Sequence, residues 1–226
     1  MTGDTYSVKP VAHIRNAMKS KFGIPRQSLL AQEVISEIVF EPEFRIDETL
    51  RGIEGFSHLW LIWYFSETAD HGWSPTVRPP RLGGNERMGV FATRSPFRPN
   101  GLGLSAVKLL KVEKRANEGS VLTVAGADLM DGTPIFDIKP YLPYADSIPD
   151  ASCGFAPDGG KTLCVDMTAV ENVLTDNEKS EIKALLERDP RPRYQDDPER
   201  VYAMRYGEKD IKFKVEGDKM TVLSAE

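Results

Sequence analysis

Prolines and glycines interrupt this chain at short intervals, and this feature limits most strongly what it can fold into. The 226 residues include 16 prolines and 18 glycines. Because both residue types favour turns and end regular elements, the pattern predicts short strands joined by turns rather than long helices. Hydrophobic residues make up 40% of the chain, so a large core is possible and a mainly disordered protein is excluded.

The first 150 residues predict a mostly antiparallel β-sheet or β-barrel. His58–Phe65 is aromatic and almost entirely apolar, which indicates a strand buried on both faces. Phe44–Ile53 is acidic and predicts a short helix with Asp47 as its N-cap. The other predicted strands are Ala12–Arg15, Val34–Phe40, Met88–Ala92, Leu104–Val112 and Ser120–Ala127.

The pattern changes after residue 150, where a linker-like stretch rich in Pro, Gly, Asp and Ser occupies 151–160. Glu178–Arg188 has apolar residues at helical spacing and follows two candidate N-caps, Thr175 and Asp176. Strands are predicted at Val201–Tyr206, Ile211–Val215 and Met220–Leu223, with Gly217-Asp218 in a hairpin turn. We therefore predict a β-barrel domain over 1–150, and a linker with a small α+β domain over 151–226.

Several functional classes are disfavoured by what the sequence lacks. The longest apolar stretch, Leu59–Phe65, is too short to span a membrane, and Met1–Asp4 does not begin a signal peptide, so we expect a cytoplasmic protein without membrane attachment. Two cysteines, Cys153 and Cys164, and three scattered histidines do not have the spacing of a metal site. GxGxxG, P-loop and GxSxG motifs are absent from the sequence, which argues against Rossmann enzymes, P-loop enzymes and nucleophilic hydrolases.

The most unusual segment is 71–105, which contains five arginines, no lysine and one acid, Glu86, although the whole chain has a net charge of −5. Arginine side chains suit phosphate and carboxylate, so this segment indicates a cationic cleft for an anion such as the phosphates of a nucleic acid. The alternative is that these arginines bind turn carbonyls. The arginines are Arg78, Arg81, Arg87, Arg94 and Arg98.

Two further motifs each have two interpretations. Asp128–Pro134 (DLMDGTP) predicts a turn, which either only connects two strands or leaves backbone groups free to bind the polar edge of a ligand. Asp137, Lys139 and Tyr141 alternate and can share one face of a strand. They indicate either acid–base chemistry or a salt bridge beside an aromatic ring.

Several motifs together resemble the TsaA-like, TrmO family, and the resemblance covers nearly the whole chain. They are PRQ at 25–27, GFSHLW at 55–60, the block 72–105, DGTP at 131–134, DIKPYLPYA at 137–145 and DPRPRY at 189–194. The resemblance implies an S-adenosylmethionine-dependent tRNA methyltransferase built on a β-barrel rather than a Rossmann fold. It further implies methylation of N6 of N6-threonylcarbamoyladenosine at tRNA position 37, by a homodimer with the cofactor near the subunit interface.

The resemblance also assigns residues to roles. Arg98 and Asn100 are expected to contact substrate, and Asp137, Lys139 and Tyr141 are the catalytic candidates, with Asp137 or Tyr141 taking the N6 proton and Lys139 lowering the relevant pKa. Arg94 or Arg98 is expected to pair with the threonine carboxylate of the substrate. The expected cofactor-binding residues are Pro25, Arg26, Gln27, Ser66, Glu67, Arg94, Leu104, Asp131, Gly132 and Thr133.

Two other functions remain open from the residues alone. The arginine-rich segment fits a β-barrel that binds RNA or a small anion without chemistry. It also fits a methyltransferase that acts on another small substrate, because a fold does not determine a function.

Overall fold

The computed structural model describes residues 4–157, 159–192 and 197–226. Its elements confirm the prediction of a mostly β protein with few helices. In chain order they are β1 Ala12–Arg15, β2 Ile35–Phe40, β3 His58–Tyr64, β4 Thr76–Val77, β5 Met88–Gly89, β6 Leu102–Arg115, β7 Gly119–Ala125, β8 Pro134–Pro140, α1 Pro143–Asp146, β9 Cys164–Asp166, α2 Asp176–Glu187, β10 Tyr202–Tyr206, β11 Lys209–Glu216 and β12 Lys219–Ala225.

Six strands of the first 140 residues pair in the order β1-β2-β7-β6-β3-β8, and β8 pairs back with β1, so the sheet closes into a barrel. Every pairing in this ring is antiparallel. Closure leaves the sheet without an edge. The interior is filled by alternate apolar side chains, among them Ile38, Leu59, Leu61, Val107 and Leu122, which are fully buried.

Strand β3 is buried on one face only, so the prediction that it is buried on both faces is wrong. Leu59, Leu61 and Trp63 are buried, whereas Trp60 and Tyr64 are half-buried. The physical reason is the closed antiparallel sheet, in which only one face of each strand reaches the interior. Trp60 and Tyr64, on the outer face of β3, line the cavity described below.

Two other predicted elements differ from the structure. Residues 44–53 form no α-helix, because the backbone leaves the helical conformation at Arg45 and Ile46 and again at Gly52, which has a φ of +88°. The region therefore consists of separate 3₁₀ turns, at Pro42–Phe44, Asp47–Leu50 and Ile53–Gly55. Asp47 lies in the first turn of the second and is not its N-cap, which is Ile46. The strand expected at Met88–Ala92 continues only to Gly89 and then becomes another 3₁₀ turn.

The C-terminal unit is a four-stranded sheet in the order β10-β11-β12-β9, covered by helix α2. Thr175, one of the two N-cap candidates from the sequence, is the N-cap of this helix and forms a reciprocal capping box with Glu178. Ile182, Leu185 and Leu186 of the helix are buried in the same core as the sheet. Strand β9, which pairs in parallel with β12, was not predicted.

Residues that follow β1 belong to the core of the C-terminal unit. Met18, Ala31 and Val34 pack there, and the ring of Phe22 stacks on Tyr202 and Phe213 at centroid distances of 6.5 and 6.2 Å. The division of the chain into domains at residue 150 stays a prediction. Arg193 and Tyr194 of the DPRPRY motif lie outside the described residues. No helix within the described ranges is long and apolar enough to cross a membrane.

Candidate functional site

A cavity of about 550 Å³ lies along the paired strands β3 and β6. Its lining comes from five segments of the chain, within 21–28, 60–68, 93–98, 102–106 and 128–133. The structure therefore brings together loops that are far apart in sequence. The predicted site residues that line the cavity are Pro25, Arg26, Gln27, Ser66, Glu67, Arg94, Arg98, Leu104 and Thr133.

The first cavity loop, 25–27, is held from both sides. The Arg26 guanidinium donates through Nη2 to the backbone oxygen of Arg191 at 2.9 Å, which ties the loop to the C-terminal unit. The side-chain oxygen of Gln27 accepts a hydrogen bond from Nη1 of Arg94. Two segments that the sequence analysis selected separately therefore meet at one point of the wall.

The turn Asp131–Thr133 is fixed against the end of β1. The Asp131 carboxylate accepts from the backbone N–H of Asn16 at 2.9 Å and from Nζ of Lys19 at 2.6 Å. The Gly132 N–H donates to the carbonyl of Ile14 at 2.8 Å, and Gly132 has a φ of +78°, which favours glycine. Only Thr133 of this turn is among the lining residues, so Asp131 and Gly132 position the turn in this structure.

A polar chain that the sequence analysis missed lies at the floor of the cavity. The indole N–H of Trp63 donates to Oγ of Ser105 at 2.9 Å, and Ser105 donates to Oδ1 of Asp128 at 2.6 Å. Burial raises the pKa of the Asp128 carboxyl, and the bond from Ser105 and the charge of Arg94 only partly oppose this. The available signal was that Asp128 opens the predicted turn and directly follows the predicted strand Ser120–Ala127.

The sequence left two interpretations of the five arginines of 71–105: a cationic cleft for an anion, or binding of turn carbonyls. Each interpretation holds for some of these arginines. Arg94 and Arg98 line the cavity, as a cationic cleft requires. Arg98 also donates to the carbonyls of Val90 and Thr93 at 3.2 and 2.7 Å, which is the turn-binding role. Arg87 donates to Oγ1 of Thr76 beside the β4–β5 pair. Asn100 is exposed and is not among the lining residues.

Asp137, Lys139 and Tyr141 lie outside the cavity lining. Lys139 and Asp137 form an ion pair at 2.8 Å, and the ring of Tyr141 packs on Trp60 at 5.4 Å. This is the arrangement of a salt bridge beside an aromatic ring that the sequence left open. Trp60 itself lines the cavity, so Tyr141 adjoins the site through this indole, and Lys139 lies opposite Trp60 in the pairing of β8 with β3. Their catalytic role stays a prediction.

The lining combines charges of both signs with aromatic rings. Lys21, Arg26, Arg94 and Arg98 are basic, Glu67 and Asp128 are acidic, and the rings belong to Trp60, Trp63, Tyr64 and Phe65. Such a lining suits a ligand with an aromatic ring and both a positive and a negative group. Among the described residues, no group of three or more His, Cys, Asp or Glu side chains is placed to hold a metal ion.

Two family models match this chain. The tRNA-methyltransferase O N-terminal domain matches residues 13–147, and the TrmO C-terminal domain matches residues 165–226. The chain belongs to the tRNA-methyltransferase O family. The TrmO match covers both the barrel that forms the cavity and the unit that packs against its first loop.

Known TrmO-type proteins are similar to this chain over nearly its whole length. The tRNA (adenine(37)-N6)-methyltransferase of Escherichia coli K12 is 41% identical over 221 residues, which are 93% of this chain and 94% of the relative. A Pseudomonas aeruginosa relative, provisionally named S-adenosylmethionine-dependent methyltransferase RcsF, is 39% identical over 92% of this chain and 91% of its own. The crystal structure of TrmO from P. aeruginosa superposes with a TM-score of 0.80, at 34% identity and 99% coverage of both chains.

Proposed function

We propose that this chain transfers a methyl group from S-adenosylmethionine to the N6 nitrogen of N6-threonylcarbamoyladenosine at position 37 of tRNA. The observation that carries the proposal is a cavity with aromatic rings and charges of both signs, in a chain 41% identical to a tRNA (adenine(37)-N6)-methyltransferase. The name of the P. aeruginosa relative supports S-adenosylmethionine as the donor. In this proposal the reaction requires no metal ion, and the enzyme acts in the cytoplasm.

The residues of the cavity fit this donor, which is an adenine nucleoside with a sulfonium, an ammonium and a carboxylate group. Trp60, Tyr64 and Phe65 offer ring and apolar surface for the nucleoside, and Arg26 or Arg94 offers a fork for the carboxylate. When bound, the donor supplies an activated methyl group. The chain's own task is therefore alignment and electrostatics.

The methyl acceptor is a weakly nucleophilic nitrogen that carries a proton, and the chain must orient it. Arg94 or Arg98 pairs with the threonine carboxylate of the modified adenosine and holds it at the cavity. This pairing rejects plain adenosine, which lacks the carboxylate. Asp137 or Tyr141, with Lys139 nearby, is the candidate for accepting the N6 proton. The contact of Tyr141 with Trp60 keeps Tyr141 close to the cavity, and Lys139 pairs with Asp137.

The tRNA surface is the arginine-rich segment around the cavity mouth. Phe91 and Trp73 are 77% and 57% exposed, and the guanidinium of Arg98 lies over the Phe91 ring at 5.8 Å. Exposed aromatic rings beside arginines are suited to unstacked bases and phosphates of a loop. This supports an anticodon loop as the substrate.

The homodimer is also part of the proposal. Leu102 and Leu104 on the outer face of β6 are 43% and 57% exposed beside the cavity. A second copy that covers these leucines would complete the wall of the site. Analytical ultracentrifugation of the purified chain is expected to give twice the monomer mass, and a monomer at enzyme concentrations that sustain turnover would reject the dimer.

The proposal is tested by mass spectrometry of tRNA nucleosides from the source organism with and without this gene. Loss of the methylated threonylcarbamoyladenosine, with a matching rise of its unmethylated precursor, is the expected result. An unchanged nucleoside profile in cells that contain the methylated form would break the link to this modification. The two alternative functions, a binding module without catalysis or a methyltransferase for another substrate, would then explain the chain better.

A further inference from the structure

Asp128 is the acidic side chain at the floor of the cavity. It follows β7, is half-buried and lines the cavity. The other acidic lining residue, Glu67, is exposed at the rim. A ligand that enters the cavity therefore meets Glu67 in contact with water, whereas it meets the Asp128 carboxyl in a partly desolvated position, and electrostatic contacts are stronger there.

The orientation of the Asp128 carboxylate is set by its partners. An indole N–H can only donate, so the bond from Trp63 occupies a lone pair of the Ser105 hydroxyl. The Ser105 proton is then directed to Oδ1 of Asp128, at 2.6 Å. The backbone N–H groups of Asp128 itself and of Ser28, in the loop that follows Gln27, also favour the charged carboxylate and lower its pKa, although less than burial raises it. These contacts hold the carboxylate in place before any ligand arrives.

The Asp128 carboxylate has no ion-pair partner among the described residues. Within the part of the chain that the structure describes, no basic nitrogen lies within 4.0 Å of it. Arg94 acts on it only through its longer-range charge, because the Arg94 guanidinium is bound to Gln27. An oriented carboxylate that is removed from water without a cation is costly, and a bound cation would offset that cost.

The geometry points to Asp128 as the counter-charge for a positively charged group of the methyl donor, either its sulfonium or its α-ammonium. The identity of the ligand rests on the proposed function, whereas the need for a cation rests on the unpaired carboxylate. Trp63 and Ser105 are positioning residues, since they act through Asp128. Asp128 thereby favours the charged donor over uncharged nucleosides of similar shape.

Calorimetry with the wild-type protein and Asp128→Asn tests this inference, using S-adenosylmethionine, S-adenosylhomocysteine and 5′-methylthioadenosine. The third compound lacks both positive groups. We expect the substitution to raise the Kd of S-adenosylmethionine about tenfold or more, since it removes a charge-assisted contact. The Kd of 5′-methylthioadenosine should stay within about twofold of wild type. Asp70→Asn, which removes an exposed acid outside the lining, is the matched control and should change neither Kd.

S-adenosylhomocysteine identifies the group that Asp128 binds, because it keeps the ammonium and lacks the sulfonium. A loss of its affinity equal to that of S-adenosylmethionine assigns the ammonium, and an unchanged affinity assigns the sulfonium. An Asp128→Asn protein that binds S-adenosylmethionine like wild type overturns the inference. An equal loss for 5′-methylthioadenosine also overturns it, because the effect would then be structural.

The pH dependence of binding gives a second readout. The raised pKa of Asp128 means that the carboxyl becomes neutral on acidification earlier than an ordinary aspartate, and a neutral carboxyl does not attract a cation. Wild-type affinity for S-adenosylmethionine should therefore fall as the pH is lowered through this pKa, with a proton released on binding in that range. Asp128→Asn should lack both effects, and identical pH profiles would contradict the inference.

Failure of this inference can be separated from failure of the proposed function. A wild-type protein that binds no S-adenosylmethionine removes the proposed function. If the wild-type protein binds S-adenosylmethionine and the Asp128→Asn protein binds it equally well, only the role of Asp128 is rejected. Thermal unfolding shows whether the variant is folded. Its Tm at pH 7 should equal or exceed the wild-type value, because burial disfavours the charged carboxylate that the substitution removes.

Discussion

The indole of Trp63 lies so close to the backbone of Gly103 that no side chain fits between them. A Cβ at residue 103 would lie 2.3 Å from Cε2 of Trp63. Both residues line the cavity, and the same indole donates to Ser105. The absence of a side chain at residue 103 therefore sets the position of Trp63, and through it the polar chain that ends at Asp128.

Gly103→Ala is expected to displace the Trp63 indole and to lower the free energy of unfolding by roughly 1–3 kcal/mol, the usual effect of overpacking. It should also weaken donor binding, because the bond from Trp63 to Ser105 is lost. Urea unfolding and calorimetry measure the two effects. Gly55→Ala, where a Cβ meets nothing within 4 Å, is the control. If Gly103→Ala binds the donor with wild-type affinity, the position of the Trp63 indole at the cavity floor does not matter for donor binding, which would contradict this explanation.

At the scale of elements, the strands of the segment between β3 and β6 pair with each other and are not part of the six-stranded barrel. The segment contains the short β4–β5 pair and a 3₁₀ turn at Val90–Ala92 that carries Phe91. Phe91 is largely exposed, whereas Arg94 and Arg98 follow it into the cavity lining. One short stretch can therefore contact both the RNA and the methyl-transfer site.

Phe91→Ala is expected to weaken tRNA binding by about 1–3 kcal/mol if the ring stacks on a base, while donor affinity stays at the wild-type value. Filter binding or fluorescence anisotropy with tRNA measures the first effect, and calorimetry with S-adenosylmethionine measures the second. The exposed Tyr144→Ala, in α1, is a control of similar chemistry outside the arginine-rich segment. If Phe91→Ala binds tRNA with wild-type affinity, the surface around Phe91 is not part of the tRNA-binding interface.

The elements that the sequence predicted well are those with a clear local pattern. Strand β1 and helix α2 are examples, because alternation and a capping box are local signals. The helix expected at 44–53 is not formed, because the backbone is extended at Ile46 and left-handed at Gly52, which separates the region into 3₁₀ turns. Strand β9 was missed because three residues show no period, and its pairing with β12 depends on the tertiary fold.

At the scale of the whole molecule, the C-terminal unit braces the first cavity loop. Phe22 stacks on its aromatic residues, Gly23 lies against Met204, and Arg26 donates to the Arg191 carbonyl. The loop that carries Pro25 and Gln27 is therefore placed by contacts on the side away from the cavity. We therefore expect the C-terminal unit to support donor binding, although none of its described residues is in the cavity lining.

Phe22→Ala is expected to lower the free energy of unfolding by roughly 1–3 kcal/mol and to weaken donor binding several-fold, because the loop loses its support. Thr175→Ala is the matched control, since it removes a helix cap in the same unit and costs about 1 kcal/mol away from the loop. Chemical unfolding and calorimetry compare the two. If Phe22→Ala and Thr175→Ala bind the donor equally well, the packing of Phe22 on the C-terminal unit has no role in donor binding.

The candidate site was predicted from sequence only in part. Gln27 and Arg94 were selected through their motifs, and the structure joins them by a hydrogen bond. Asp128 was missed because its significance depends on burial and on Ser105 and Trp63, which are distant in sequence. Periodicity placed Asp137 and Lys139 together, but it does not say whether a strand face borders a cavity.

The most direct test of the central claim is methyl transfer by the purified chain from labelled S-adenosylmethionine to two tRNAs. One carries N6-threonylcarbamoyladenosine at position 37, and the other carries plain adenosine there. The account predicts label in the first tRNA only, recovered after digestion as the N6-methylated nucleoside. No label in either tRNA, or equal label in both, would contradict it.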